Sequence, residues 1–215
     1  MGLIVLEGLD GSGKSTQLPL LEEELRRRGP VRTVSFPDYS SPSSALVKMY
    51  LGGEFGDKPG DVNAYAAGAF YAVDRYASFK KDWQRDYDKG ITILAGRYAT
   101  SNMIYQMEKL PRPLWEEYIS WVEDFEYVKL GLPRPHRVIF LDMPLAAAQK
   151  LLAKRYEESG GKKDLHERDL HYLESCAQCA RFAAEKLRWR VIDCASGGEP
   201  LGIDEIHRRV VSALD

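Results

Sequence analysis

At 215 residues, 44% of them hydrophobic and 29% charged, the chain has the size and composition of one globular domain. A formal net charge of -2 offers no bulk attraction to a nucleic-acid polymer or an anionic membrane, and no apolar run approaches the ~18 residues that span a bilayer. The opening MGLIVLEG is too short for a signal-peptide core and has no basic stretch before it, so a cytoplasmic location is expected, with neither nucleic acid nor membrane as partner.

The first predicted strand, Leu3–Glu7, runs into Gly8-Leu9-Asp10-Gly11-Ser12-Gly13-Lys14-Ser15-Thr16, and a helix over about Lys14–Arg28 follows. That stretch fits G-x-x-x-x-G-K-[ST] in its proper strand–loop–helix setting. The glycines let several backbone N–H groups turn inward toward one anion, and the helix N-terminus adds partial positive charge. Lys14 can reach the β- and γ-phosphates of a nucleoside triphosphate, and the Ser15 hydroxyl can ligate Mg²⁺. Pro19 falls in the second turn of this helix, where a kink is expected.

A second strand, Val31–Phe36, ends on Phe36-Pro37. Helices follow over Ser43–Leu51 and Val62–Asp88. In the latter, Tyr71, Asp74 and Arg75 share a face because offsets of three and four do. Tyr71 and Arg75 could stack on and hydrogen-bond a base, or be a core aromatic beside a surface cation. The third strand, Ile91–Ala95, leads to Gly96-Arg97-Tyr98, where Arg97 would sit beside the phosphate loop and suit an acceptor phosphate. Helices over Thr100–Lys109 and Pro113–Leu130 precede the fourth strand, Arg137–Asp142, whose terminal Asp142 has the spacing of a metal-organising acid.

The remaining elements are helices over Pro144–Glu158 and His166–Leu187, a strand over Arg190–Asp193 and a helix over Ile203–Leu214. The charged, Gly-containing segment Glu157 to Asp164 reads either as a solvated loop or as a mobile lid. Cys176 and Cys179 form a C-x-x-C on the seventh helix. No second pair completes a zinc set, so they read as small apolar residues on a buried face, and Cys194 as core. The strands are short and apolar throughout, as in a parallel sheet covered on both faces. The expected fold is a three-layer α/β/α arrangement around a five-stranded parallel sheet, in one domain over 1–215.

Together these residues resemble the thymidylate kinase family from Leu3 to about Val210. Gly8–Thr16 resembles its phosphate loop, Phe36-Pro37 its Phe-Pro after strand two, and Phe70–Arg75 its base-recognition helix. Arg97-Tyr98 with Ser101, Tyr105 and Gln106 resembles its D-R-Y-x-x-S-x-x-A-Y-Q stretch, and Gly131–Pro135 is also family-like. The resemblance implies a P-loop nucleotide kinase fold with a lid at about 155–168, and transfer of a phosphoryl group from ATP to dTMP with Mg²⁺, in a homodimer. It implies that Lys14 and the loop hold ATP, that Arg97 holds the acceptor phosphate, and that Phe36, Pro37, Tyr71, Arg75, Tyr98, Ser101, Tyr105 and Gln106 surround dTMP. Among the family's variants the chain resembles the type that takes its catalytic cation from the lid, with Arg155 first among Arg155, Lys162, Lys163 and Arg168.

Two departures stand out. Tyr39 occupies the position where the family often has Arg, and Gly96 replaces the Asp before Arg97. Asp10 is then the best acid near the metal. The departures keep two other readings open: a kinase for a different nucleoside or nucleotide, and a nucleotide-binding relative slow in catalysis. On that basis Gly96→Asp is expected to speed transfer by returning a fixed charge to the site.

Overall fold

The computed structural model describes residues 2–159 and 170–215. Five strands form one parallel sheet: β1 (Leu3–Gly8), β2 (Val31–Ser35), β3 (Thr92–Gly96), β4 (Arg137–Asp142) and β5 (Arg190–Asp193), in the order β2-β3-β1-β4-β5. Alternation along each strand divides the core in two. Leu3, Val5, Ile93, Ala95, Val138 and Phe140 point to one layer, and Leu6, Leu94, Ile139, Leu141 and Ile192 to the other. Each face is covered by helices, which makes the expected three layers.

The second layer is closed by α1 (Lys14–Arg28) through Leu21 and Leu25, by α7 (Leu145–Ser159) through Ala147 and Ala148, and by α9 (Ile203–Ser212) through Ile206 and Val210. Helix α1 continues through Pro19 to Arg28. The first layer is closed by α3 (Ala64–Ser78), α5 (Asn102–Tyr105), α6 (Trp115–Val122) and α8 (Leu170–Lys186), while α2 (Ala45–Leu51) packs on α3. Cys176 and Cys179 lie free and buried on α8, where burial pushes both thiols up and keeps them protonated. Cys194 is buried after β5, its thiol pushed up by burial to about 12.

Three expected helices are irregular. The long run before β3 is α3, a π-helical turn at Phe79–Trp83, then α4 (Gln84–Asp88). The run after β3 reduces to the four residues of α5 between 3-10 turns at Ala99–Ser101 and Met107–Lys109. Helix α6 opens into a π-helical segment at Glu123–Lys129. A short hairpin not foreseen, β6 (Ala195–Ser196) with β7 (Glu199–Pro200), turns on Gly197 and Gly198, both at positive φ as a tight hairpin turn requires. The expected lid cations Lys162, Lys163 and Arg168 lie outside the described residues. Arg155 is on α7, but its side chain also lies outside what is described.

Lys109 ends the irregular run after α5. Its Nζ donates to Tyr50 Oη and to the Val62 carbonyl, both at 2.9 Å, and stands 4.8 Å from the Tyr50 ring centroid. Burial lowers its pKa to about 8, against smaller upward pulls from Glu108 and Cys176. Between pH 8 and the ordinary lysine pKa, the unfolded chain therefore binds more protons at this site than the folded one, so this group's contribution to stability rises with pH in that window. Denaturation of wild type and Lys109→Met at pH 7.5 and pH 9.5 checks this. The stability of wild type relative to the variant should be greater at pH 9.5, and a difference unchanged with pH would contradict it.

Candidate active site

The phosphate loop connects β1 to α1, and its glycines are required by geometry. A Cβ on Gly8 would lie 2.4 Å from Ser12 Oγ, and one on Gly11 would lie 2.5 Å from the Ala148 carbonyl oxygen. Gly13, at φ 90, caps α1 in a left-handed conformation that costs glycine little. Lys14 curls over the loop and donates to the carbonyls of Gly8 at 2.5 Å and Leu9 at 2.7 Å. The Ser15 and Thr16 side chains are exposed at the start of α1.

Beside this loop opens a cleft of about 210 Å³. Strand order creates it. β3 lies next to β1, with Leu6 opposite Gly96, so the loops after both strands emerge together at the carboxyl edge of the sheet. Asp10 from the first loop and Arg97 from the second form an ion pair, Tyr105 Oη donates to Asp10 at 3.3 Å, and the Arg97 guanidinium lies 5.0 Å from the Tyr105 ring centroid. Burial would lower the Arg97 pKa, but Tyr105, Asp10 and Glu7 together raise it well above the ordinary value, so its charge is held. Arg97 has φ 71, a left-handed conformation that a non-glycine residue adopts at a cost of about 1–3 kcal/mol.

Every residue expected to surround the acceptor lines this one cleft: Phe36 and Pro37 after β2, Tyr71 and Arg75 on α3, and Arg97, Tyr98, Ser101, Tyr105 and Gln106 after β3. Tyr39, Leu51 and Asn102 line it as well. Gln106 is 1% exposed, and its Oε1 is buried without a hydrogen-bond partner among the described residues. A buried acceptor without a partner calls for an explanation, and Gln106 is among the residues that line the cleft.

A family model described as thymidylate kinase matches residues 6–202. The chain belongs to the thymidylate kinase family. It is 30% identical over 198 residues to thymidylate kinase from Mycobacterium tuberculosis, covering 88% of this chain and 90% of that protein. Human thymidylate kinase is 28% identical over 206 residues, covering 94% of this chain and 86% of that one. Among solved structures, thymidylate kinase from Candida albicans superposes with a TM-score of 0.71 over 98% of this chain and 89% of its own, at 24% identity, a likeness of fold.

Several side chains of this thymidylate kinase family member are committed in ways the sequence did not reveal. Arg75 is 1% exposed, and its Nε donates to Glu126 Oε2 at 2.6 Å while its NH2 donates to Glu126 Oε1. Asn102 Nδ2 joins them, donating to Glu126 Oε1 at 2.9 Å and to the Gly68 carbonyl at 3.2 Å. Tyr98 contributes wall, since it is fully buried and its hydroxyl donates to the Pro133 carbonyl at 3.0 Å. Asp74, buried on α3, accepts from the Asp38 N–H at 2.8 Å and from Ser43 Oγ at 2.6 Å, and so pins the loop after Pro37. Asp142 forms a two-point pair with Arg181, both bonds 3.1 Å. Glu126, Asn102 and Glu7 escaped sequence reasoning, because their partners lie 24 to 94 residues away along the chain.

The commitment of Arg75 changes what its removal should do. Arg75→Ala strands the Glu126 carboxylate in the core, which should cost about 3–5 kcal/mol of stability. Urea denaturation measures this. Unchanged stability with a loss confined to acceptor binding would instead make Arg75 a direct ligand of the base.

The setting of Gly96 also alters an expectation. A Cβ there would lie 2.8 Å from Cδ2 of the half-buried Leu18 on α1, so the end of that side chain must shift to admit an aspartate. Gly96→Asp would press a carboxylate onto those methyl groups. It should lower stability by about 1–3 kcal/mol, as overpacking does, without raising turnover. Adding Leu18→Ala should recover part of the loss. Faster turnover by Gly96→Asp alone, at unchanged melting temperature, would show that the site lacks only the charge.

Proposed function

We propose that this chain transfers the γ-phosphoryl group of ATP to dTMP, giving ADP and dTDP. The observation that carries the reading is a single cleft that gathers Gln106, with its buried unpartnered Oε1, and the cation Arg97 beside a complete phosphate loop. A thymine ring presents an N–H donor that suits Gln106 Oε1, with Tyr71 and Phe36 as flat neighbours. The 5′-phosphate at the far end of the nucleotide suits Arg97.

In this reading Gly8, Leu9, Asp10, Gly11, Ser12, Gly13, Lys14, Ser15 and Thr16 hold the phosphates of ATP through backbone N–H groups and the Lys14 ammonium. Mg²⁺ favours few protein ligands, all oxygen, with the substrate phosphates supplying others. The Ser15 hydroxyl, exposed and without a hydrogen-bond partner among the described residues, fits that role, with Asp10 as the nearby acid. Mg²⁺ would neutralise charge on the β- and γ-phosphates. A dTMP phosphate oxygen attacks the γ-phosphorus as the bond to the bridging β–γ oxygen breaks, and the electron pair leaves on ADP. The protein's part is to align the two phosphates and hold cations around the charge that spreads in transfer. We assign Lys14 and Arg97 to that task, with Asp10 orienting Arg97, and Arg155 as the lid cation on the strength of the family resemblance.

A cytoplasmic homodimer completes the proposal. The α2–α3 pair exposes Leu46, Val73 and Tyr76, which a second copy would cover, and no helix among the described residues is long and apolar enough to cross a membrane.

Coupled ADP release across the common nucleoside monophosphates tests the reading. dTMP should be the fastest acceptor, and Lys14→Ala should lower its rate by orders of magnitude with the fold intact, because Lys14 faces the loop and not the core. A faster rate with another monophosphate would reassign the substrate, and near-normal turnover in Lys14→Ala would remove the phosphate loop from the chemistry.

A further inference from the structure

Glu7 has so far no part in the chemistry. It is the penultimate residue of β1 and fully buried. Its Oε1 accepts from the Tyr98 N–H at 3.2 Å, from Thr100 Oγ1 at 2.6 Å and from Ser101 Oγ at 2.8 Å, and its Oε2 is 3.0 Å from the same Ser101 hydroxyl. Among the described residues no Lys or Arg forms an ion pair with it. A carboxylate buried among neutral donors is costly, and a neutral acceptor would satisfy the same three groups with a smaller desolvation penalty.

The bonds of Glu7 show where to look. All of them fall on residues 98 to 101, the turn that leaves β3 immediately after Arg97. On the other side, the Arg97 N–H donates to the Leu6 carbonyl at 3.3 Å, one residue before Glu7. The left-handed backbone of Arg97 is thus held from both flanks by consecutive residues of β1. A strained conformation persists only where its surroundings over-determine it, and here Leu6 and Glu7 supply that constraint. Asp10 and Tyr105 meet the Arg97 side chain at its tip, while Glu7 adds negative charge from behind the strand end.

We propose that Glu7 is a positioning residue for phosphoryl transfer: its buried carboxylate locks the turn after β3 and thereby aims the Arg97 guanidinium into the acceptor cleft. The proposal rests on the reading of Arg97 as the group that meets the acceptor phosphate. It gives a purpose to four hydrogen bonds from one side chain that all converge on the turn next to Arg97. It also places a fixed acid next to the strand end where Gly96 carries none.

A double-mutant cycle between Glu7 and Arg97 tests it, with kcat and both KM values measured for wild type, Glu7→Gln, Arg97→Ala and the double variant. Glu7→Gln keeps the size and one acceptor oxygen but removes the charge. In the wild-type background it should lower kcat about 10- to 100-fold, the scale of a small misplacement at a reacting centre, while the KM for ATP changes less than about threefold. In the Arg97→Ala background the same substitution should lower kcat less than about threefold, because the group through which Glu7 acts is gone. An equal fold-loss in both backgrounds would overturn the inference and leave Glu7 a structural residue, as would a wild-type kcat in Glu7→Gln. Wild-type activity of Arg97→Ala would instead overturn the reading of Arg97, and with it this proposal. If Glu7→Gln does not fold, Thr100→Val removes the shortest bond of the clamp at constant shape. It should then show the same dependence on Arg97 with a several-fold loss of kcat, and an unchanged kcat would overturn the inference.

Discussion

The acceptor cleft depends on one buried ion pair. Arg75 on α3 and Glu126 in the π-helical segment after α6 meet at two points with almost no solvent, and Asn102 at the start of α5 completes the set. Three separate segments are tied at that point, and two of them supply walls of the cleft. A buried pair of this kind contributes little net stability against an apolar alternative, yet either half alone is strongly destabilising. Its consequence is geometric. With Arg75 held by Glu126 and the loop after Pro37 held by Asp74, α3 cannot move relative to the loops that carry Gln106 and Phe36 without breaking buried polar contacts.

The same logic of buried carboxylates recurs around the sheet edge. Glu7 behind the strand end, Asp10 in front of it and Asp74 on α3 each hold a segment that would otherwise be an ordinary loop. The sheet order explains why acids gather there. Placing β1 between β3 and β4 brings the loops after β1 and β3 to one crevice, and those loops carry the glycines, Lys14 and Arg97. A cation that must stay charged in a half-closed cleft needs negative charge nearby, and Asp10 and Glu7 provide it for Arg97.

Much of this was legible in the sequence, for identifiable reasons. The strands were readable because burial on both faces makes them apolar throughout, and Arg137–Asp142 and Arg190–Asp193 match residue for residue. The phosphate loop was readable because close backbone packing at Gly8 and Gly11 admits only glycine. The expected acceptor residues proved to share one cleft because helical spacing and the strand end fix their directions. What was not legible is pairing at a distance. Nothing local shows that Arg75 pairs with Glu126, 51 residues away, or that the Leu18 side chain lies against Gly96. The breaks in the helices after β3 and in α6 were equally hidden, since a backbone that bends to serve a buried carboxylate carries no periodic signal of its own. The Gly197-Gly198 pair does carry a local hairpin signal, since both residues need positive φ.

The central claim is that a nucleoside monophosphate lies across this cleft with its base at Gln106 and its phosphate at Arg97. A crystal structure of the protein with dTMP tests it most directly. The account predicts the thymine ring between Tyr71 and Phe36, its N–H within hydrogen-bond distance of the Gln106 carboxamide, and the phosphate on the Arg97 guanidinium. Density for dTMP elsewhere, or in the cleft with the base and phosphate ends reversed, would contradict it.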